Sequence, residues 1–362
     1  MNYPRPLVVC ALASLVFACS SSSGTKGTGG SGGATPTGGS GGAGTGGSGG
    51  SSGSGGQTSP DAGPKPDAAA PADGAAPTDG AAPTDGAAGA VTCGTTPAAF
   101  NLNNVGRAEG LVVAPDGTVY FSDFATHVMR YAPPYDKPVE ATWATIDGAK
   151  IFGIMLDPKR KLIYAGARTT NKLYKIDTTD PTKITPVVDV EAGINGLTMG
   201  DDGSVYYADQ QAAGGHIYRV TPEGVKSTVT KTTVIDPDGI AFGPDKQLYT
   251  ISYGPGVITR FKLDASFMEI SREEWATLPM PNGDGIAFDK DGNCYATSKG
   301  GLYKIGADAK PMNISPIGGA NIDFGAGALS CNEIIWVTNS AATQPQHMNN
   351  ATAGLDVYWH RP

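Results

Sequence analysis

The sequence predicts an all-β chain whose folded part, residues 93–362, is a six-bladed β-propeller of four-stranded blades. Three observations carry that prediction. Glycines at 110, 153, 196, 239, 285 and 327 each open a strand-like run, at intervals of 43, 43, 43, 46 and 42 residues. Behind each glycine the same order of apolar runs and turns recurs, about four strands per repeat, which is the pattern of propeller blades. Helical periodicity is absent over any useful length.

The first residues are of another kind. Met1 to Ala18 holds one cation, Arg5, and an apolar run from Leu7 to Ala18, as in a secretory signal peptide too short to remain as a spanning helix. Ala18 before Cys19 resembles a bacterial lipobox, although Phe17 is unusual within one. The resemblance implies cleavage after residue 18, a diacylglyceryl group on Cys19 and, with Ser20 next, sorting to the outer membrane. The other reading is ordinary signal cleavage nearby, with Cys19 lost or free. Residues 19–92 are mostly Gly, Ser, Thr, Ala and Pro, with a tandem Ala-Ala-Pro-Thr-Asp-Gly at 75–80 and 81–86. Without large apolar side chains such a segment cannot offset the entropy of ordering, so it is expected to be a disordered tether. A Gly-rich chain of that length reaches about 40–50 Å.

Residues 93–362 are enough for one sizeable all-β core. Of the formal net charge of −8, −6 falls in this part. No basic patch with interleaved aromatics marks a nucleic-acid partner, and a membrane enters only through the lipid anchor. Cys93, Cys294 and Cys331 suffice for one disulfide and one leftover thiol in an exported protein.

Gly196 to Val220 shows the repeat best: Leu197 to Met199, the turn Asp201-Asp202-Gly203, Val205 to Ala208, then His216 to Val220. Matching turns are Pro115-Asp116-Gly117, Pro244-Asp245-Lys246 and Lys290-Asp291-Gly292, as hairpins needing positive φ expect. These carboxylates read as structural. The second strands carry an aromatic at one register, Tyr120, Tyr164, Tyr206, Tyr249, Tyr295 and Trp336, which reads as core packing. Weaker fourth strands precede the next glycine, as in Pro186 to Val190, Ser227 to Val234 and Met312 to Ile317. The sixth unit reads as ending with Gly354 to Trp359 as its third strand. Its fourth is then expected from Ala98 to Asn104, closing the ring. That closure brings Cys93 towards the blade that carries Cys331 and favours this pair, with the other two pairings open.

In a propeller the innermost strand of each blade starts at one face of the central channel, so the residue before each glycine points towards the axis. The expected ring is Glu109, Phe152, Asn195, Asp238, Asp284 and Ala326. Carboxylates converging on one spot repel unless a cation lies between them, and oxygen donors of this kind select a hard ion such as Ca²⁺. The competing reading is that Asp-Gly and Asn-Gly are common turn dipeptides whose side chains bond their own backbone. Glutamate is a poor turn former, so Glu109 fits that reading least.

Glu109-Gly110-Leu111-Val112, Asn195-Gly196-Leu197 and Pro237-Asp238-Gly239-Ile240 resemble the regucalcin and gluconolactonase (senescence marker protein) type of six-bladed propeller. The resemblance implies a divalent ion held by Glu109, Asn195 and Asp238, with Ca²⁺ first and Mg²⁺, Mn²⁺ or Zn²⁺ as alternatives. It further implies a lactone or small ester as substrate and Asp238 as the acid-base residue. Water attack on the polarised carbonyl would leave Asp238 to take the proton and return it to the alkoxide. The chain departs from the family at blade two, where Ile151-Phe152-Gly153 replaces the usual Asn-Asp before the glycine and removes a sugar-lactone contact. Lys150 and Asp147 are near enough in sequence to intrude there. Asp284 would order a water or hydroxyl, or form a plain turn.

The loop between the second and third strands shares the rim with the inner-strand starts. Asp123, His127, Asp209, Gln210, His216, Tyr253, Lys299 and Asn339 fall there by repeat alignment. His127 and His216 are equivalent, which suggests zinc, but two histidines with no cysteine pair read better as rim hydrogen bonding. His347 and His360 read as surface residues. No nucleophile elbow, zincin motif, phosphate loop or dinucleotide fingerprint occurs in residues 93–362. Two function classes follow: a metal-dependent lactone or ester hydrolase at the cell envelope, or a non-catalytic propeller binding a ligand or protein, any ion stapling its blades.

Overall fold

The computed structural model describes residues 93–338, 340 and 345–349. The signal peptide, Cys19, the tether up to residue 92, Asn339, His360 and the run Gly354 to Trp359 lie outside the described residues. The described strands form six antiparallel sheets, five of four strands and one of three, each ordered by sequence neighbour.

Blade 1 is β1 (Leu111–Val113), β2 (Val119–Ser122), β3 (His127–Tyr131) and β4 (Glu140–Thr145). Blade 2 is β5 (Ile151–Asp157), β6 (Leu162–Ala167), β7 (Lys172–Asp177) and β8 (Ile184–Asp189). Blade 3 is β9 (Ile194–Met199), β10 (Val205–Asp209), β11 (Ile217–Val220) and β12 (Lys226–Thr228). Blade 4 is β13 (Pro237–Phe242), β14 (Leu248–Ser252), β15 (Val257–Leu263) and β16 (Glu269–Thr277). Blade 5 is β17 (Gly283–Phe288), β18 (Cys294–Ser298), β19 (Gly301–Ile305) and β20 (Pro311–Ser315). Blade 6 is β21 (Ile322–Phe324), β22 (Glu333–Trp336) and β23 (Gln346–Asn349).

Burial follows from position in the blade. Both faces of β13, β14 and β17 are covered by neighbouring blades and every residue in them is buried, whereas the outer β16 alternates towards solvent. The apolar core is therefore divided into six clusters, one between each pair of adjacent blades. The aromatics at the shared register, Tyr120, Tyr164, Tyr206, Tyr249, Tyr295 and Trp336, are all at most 5% exposed, so they are packing residues. The hairpin carboxylates Asp116 and Asp202 accept backbone N–H bonds from Thr118 and Ser204, at 2.8 and 3.2 Å. In blade 5 the expected Asp291 does not play this part: Asp289 accepts the N–H groups of Asp291 and Asn293 at 3.0 and 2.8 Å.

The ring closes differently from the expectation. β23 takes the third place in blade 6, pairing with β22 from Glu333–Asn349 to Trp336–Gln346. Ala98 to Asn104 forms no strand; Phe100 and Leu102 instead sink into the cluster shared by blades 6 and 1. The latch lies just before them. Cys93 forms a parallel bridge with Gly327, Gly94 N–H donates to Gly327 O at 2.6 Å, and a disulfide joins Cys93 to Cys331 with their Cα atoms 5.3 Å apart. Cys294 is the buried free thiol.

Candidate active site

In blades 2 to 5 the x-Gly dipeptides are bulges within the inner strands, not turns. The ladder is interrupted between Ile151 and Ile154, Ile194 and Leu197, Pro237 and Ile240, and Gly283 and Ile286, so the two residues between lie outside the regular register. A bulge re-aims a side chain that regular pleating would bury in a blade interface. The glycine is required because the chain of the next blade passes against it. A Cβ on Gly153 would press into the carbonyl oxygen of Asn195, one on Gly196 into that of Asp238, and one on Gly239 into that of Asp284.

The same contact locates the sixth member and corrects the expectation. A Cβ on Gly285 would meet the Ala320 carbonyl and the Asn321 Cα, so the ring is Glu109, Phe152, Asn195, Asp238, Asp284 and Ala320. Ala326 lies beyond β21, and Gly327, at φ 55°, packs on Asp116 of blade 1. Hydroxyls from second strands tie the ring together. Ser122 Oγ accepts the Gly110 N–H at 2.7 Å and donates to the Phe152 carbonyl at 2.6 Å. Thr297 Oγ1 accepts from Gly285 N at 2.8 Å and donates to the Ala320 carbonyl. Neither hydroxyl stood out in the sequence.

Glu109, Asn195, Asp238 and Asp284 are 5, 4, 2 and 9% exposed. Burial, and then the charge of Glu109, hold the Asp238 carboxyl well above its ordinary range, with Arg168 opposing. Asp284 is raised likewise by burial, then by Asp238 and Glu109. Asp238 and Asp284, resisting ionisation beside Glu109, create a demand for positive charge. Arg168, at the end of β6, supplies part of it. Burial pulls its guanidinium below the ordinary value, while Asp238, Glu109 and Asp284 draw it back up.

Gln210 connects these groups. Arg168 Nη2 and Asn195 Nδ2 both donate to Gln210 Oε1, the latter at 3.2 Å, and Gln210 Nε2 donates to Asp238 Oδ2 at 2.9 Å. Arg168 also donates from Nε to the Ile194 carbonyl at 3.0 Å and lies over the Phe152 ring, 3.7 Å from its centre. Arg168 went unmarked in the sequence although it ends a second strand, as Asp123 and Asp209 do.

The other rim residues divide. Tyr253, 37% exposed, is raised by burial and then by Asp284, Asp238 and Glu109, which puts it in the electrostatic reach of the ring. Asp209 is buried under the rim, where burial raises its carboxyl and Gln211 Nε2 donates to it at 3.1 Å. His127 is occupied by Asp123, Nδ1 to Oδ2 2.6 Å, and His216 by Thr230 Oγ1 at 2.9 Å. The two imidazoles thus have separate partners in separate blades. Lys299 is exposed, its backbone N–H bonding Asn282. His347 is exposed, as expected, and its Nδ1 pairs with Glu333 Oε1 at 2.5 Å.

Among the described residues no three His, Cys, Asp or Glu side chains gather as a metal cage. The donor set still suits a hard cation: Glu109 and Asp238 offer carboxylates, and Asn195, whose amide nitrogen points to Gln210, has its carbonyl oxygen left to bind with. Water would complete such a site.

A six-bladed propeller with a buried acid and carboxamide ring where its inner strands begin is a scaffold for oxygen-ligand chemistry at one face of a channel. The chain belongs to the family described as SMP-30/Gluconolactonase/LRE-like region, which matches residues 107–310. Among solved structures it is similar to a gluconolactonase from Xanthomonas campestris, at 19% identity over 67% of this chain and 85% of the other, TM-score 0.56. It is also similar to regucalcin from Agrobacterium tumefaciens, described as calcium-binding, at 15% identity over 74% and 97%, TM-score 0.56. Virginiamycin B lyase from Staphylococcus aureus shares the fold at 16% identity over 70% and 84%, TM-score 0.51. A search of the curated proteins gave no match.

Proposed function

We propose that this protein is a divalent-metal-dependent hydrolase of a lactone or small ester, displayed at the cell envelope by a lipid on Cys19. The observation that carries the reading is the burial of Glu109, Asp238 and Asp284 together, with the Arg168 guanidinium opposing the last two, on a scaffold of the gluconolactonase family. Glu109, Asn195 and Asp238 would hold the ion, Ca²⁺ before Mg²⁺, Mn²⁺ or Zn²⁺. When bound, it supplies Lewis-acid polarisation of a carbonyl.

The chain's own groups do the rest. Gln210 fixes Asp238 through Oδ2, and Asp238, as the carboxylate, would take the proton of the attacking water and return it to the leaving alkoxide. Tyr253 stands at the mouth with an O–H to offer an incoming oxygen. Phe152 gives blade two a buried apolar wall where the family resemblance implies a polar sugar-lactone contact, so a plain sugar lactone is not the substrate proposed.

A second reading, a non-catalytic ligand-binding propeller, draws on Arg168, which already supplies part of the charge a metal would bring. A panel of lactones and aryl esters, assayed with Ca²⁺, Mg²⁺, Mn²⁺ and Zn²⁺ on the full chain and on Asp238→Ala, separates the two. The hydrolase reading expects metal-stimulated turnover that falls at least about a hundredfold in the variant. Turnover that survives the substitution, or none with any metal, overturns it.

A further inference from the structure

The rim of blades 1 and 2 carries a chain of cations and rings of which only Arg168 also serves the acid ring. Arg107 lies 4.7 Å from the centre of the Phe124 ring, and Lys150 Nζ 4.0 Å from the same ring. Lys150 is also 5.2 Å from the Phe152 centre, over which Arg168 lies at 3.7 Å. The two rings meet edge to face with centres 4.8 Å apart. Three cations thus share two touching aromatic rings, beside the acid ring through Arg168.

Two features mark this as built. Phe124 holds φ at 59°, a left-handed conformation that a bulky residue adopts only where its surroundings impose it. The surroundings are the Asp123 carboxylate, whose Oδ1 accepts the N–H groups of Ala125 and His127 at 2.8 and 3.0 Å, while its Oδ2 holds the His127 ring. The Asp123–His127 pair therefore presents the Phe124 ring. Further, none of the three cations enters an ion pair among the described residues. Arg168 faces the carboxylates of the acid ring, whereas Arg107 and Lys150 beside it repel one another, and an anion seated between them and Arg168 relieves that repulsion. Arginine and lysine beside aromatic faces suit a planar carboxylate on an organic skeleton.

We propose that Arg107, Lys150 and Arg168, on the Phe124 and Phe152 rings, form a subsite for a carboxylate carried by the substrate away from its reacting carbonyl. The substrate class is then an acidic lactone or ester, and this naming of the class rests on the hydrolase reading. Anion binding itself does not. Phe152 becomes a specificity residue, replacing polar contacts to a neutral sugar with support for cations that meet an acid.

The test uses the full chain freed of metal with EDTA and dialysed at low salt. D-Glucarate, a dianion, and D-glucitol, its neutral counterpart, are titrated calorimetrically into the wild type, Lys150→Met and Arg107→Met, with circular dichroism to verify folding. The wild type binds glucarate and not glucitol, and each variant weakens glucarate about tenfold, as loss of one charge-assisted contact implies. Absence of glucarate binding, or equal binding in all three proteins, overturns the subsite. The same preparations, reloaded with Ca²⁺, are assayed on D-glucono-1,5-lactone and D-glucaro-1,4-lactone. Turnover without a glucarate effect removes the subsite and leaves the hydrolase. A charge-dependent glucarate effect without turnover supports the subsite and removes the hydrolase.

Discussion

The guanidinium carbon of Arg168 lies 3.7 Å from the centre of the Phe152 ring, so blade two, whose ring residue has no oxygen to offer, contributes a cation instead. Its charge acts on Asp238 and Asp284 against their burial. An ion drawn to the same carboxylates would compete with it. We therefore expect Arg168→Gln to lower the stability of the metal-free protein by about 1–3 kcal/mol and to enlarge the rise in Tm on adding Ca²⁺. Thermal unfolding in EDTA and in Ca²⁺ measures both, and equal Ca²⁺ shifts in variant and wild type would count against the competition.

The close approach of blades at the ring predicts a penalty at Gly239. A Cβ there would collide with the Asp284 carbonyl, a backbone atom that cannot rotate away. Gly239→Ala should cost about 3 kcal/mol, high in the range for overpacking, and loosen the ring it borders. Chemical denaturation reads the loss; a cost under about 1 kcal/mol would show that the blades are free to part.

The Cys93–Cys331 disulfide spans a sequence separation of 238 and locks the start of the domain to its last blade. Cys93→Ser should remove about 2–5 kcal/mol, seen as a lower Tm matched by wild type under reductant. Burial raises the Cys294 thiol well above its ordinary value, so iodoacetamide with peptide mapping should find it unlabelled until the protein unfolds. Labelling in the native state would contradict its burial.

Asp323 gives a pH dependence. It is buried in β21, accepts the N–H groups of Val113 and Phe324 at 2.7 and 2.8 Å, and burial pushes its carboxyl up to about 7. The folded protein keeps this proton over a range in which the unfolded chain, titrating at the ordinary 3.8, has released it. Its contribution is thus complete below the unfolded value, declines as pH rises through the window and is lost above about 7. Stability in metal-free buffer should fall from pH ~5 to pH ~7.5, and fall less in Asp323→Asn, even though the amide serves two N–H donors less well. An identical slope in the two proteins would assign the effect elsewhere.

Much of this was legible in the sequence because close packing of blades leaves a glycine that no other residue replaces without strain, and it recurs at the blade period. Where that glycine is absent the signal fails: Asn321 stands in its place in blade 6, and Gly327, nearer the expected spacing, attracts the assignment that belongs to Ala320–Asn321. Arg168 was invisible for a different reason. Repeat alignment places its backbone on the rim but cannot tell that a long side chain turns inwards over Phe152. Phe152 itself reads from sequence as a lost polar contact, and only the two rings and three cations around it give it a use.

The central claim is that the ring oxygens hold one divalent ion. A crystal structure of the full chain grown with Ca²⁺ or Mn²⁺, with anomalous difference density to locate the metal, tests it most directly. The account predicts one peak with oxygens of Glu109, Asn195 and Asp238 about 2.3–2.6 Å away for Ca²⁺. No peak at saturating metal, with the Arg168 guanidinium lying between those side chains, would contradict it.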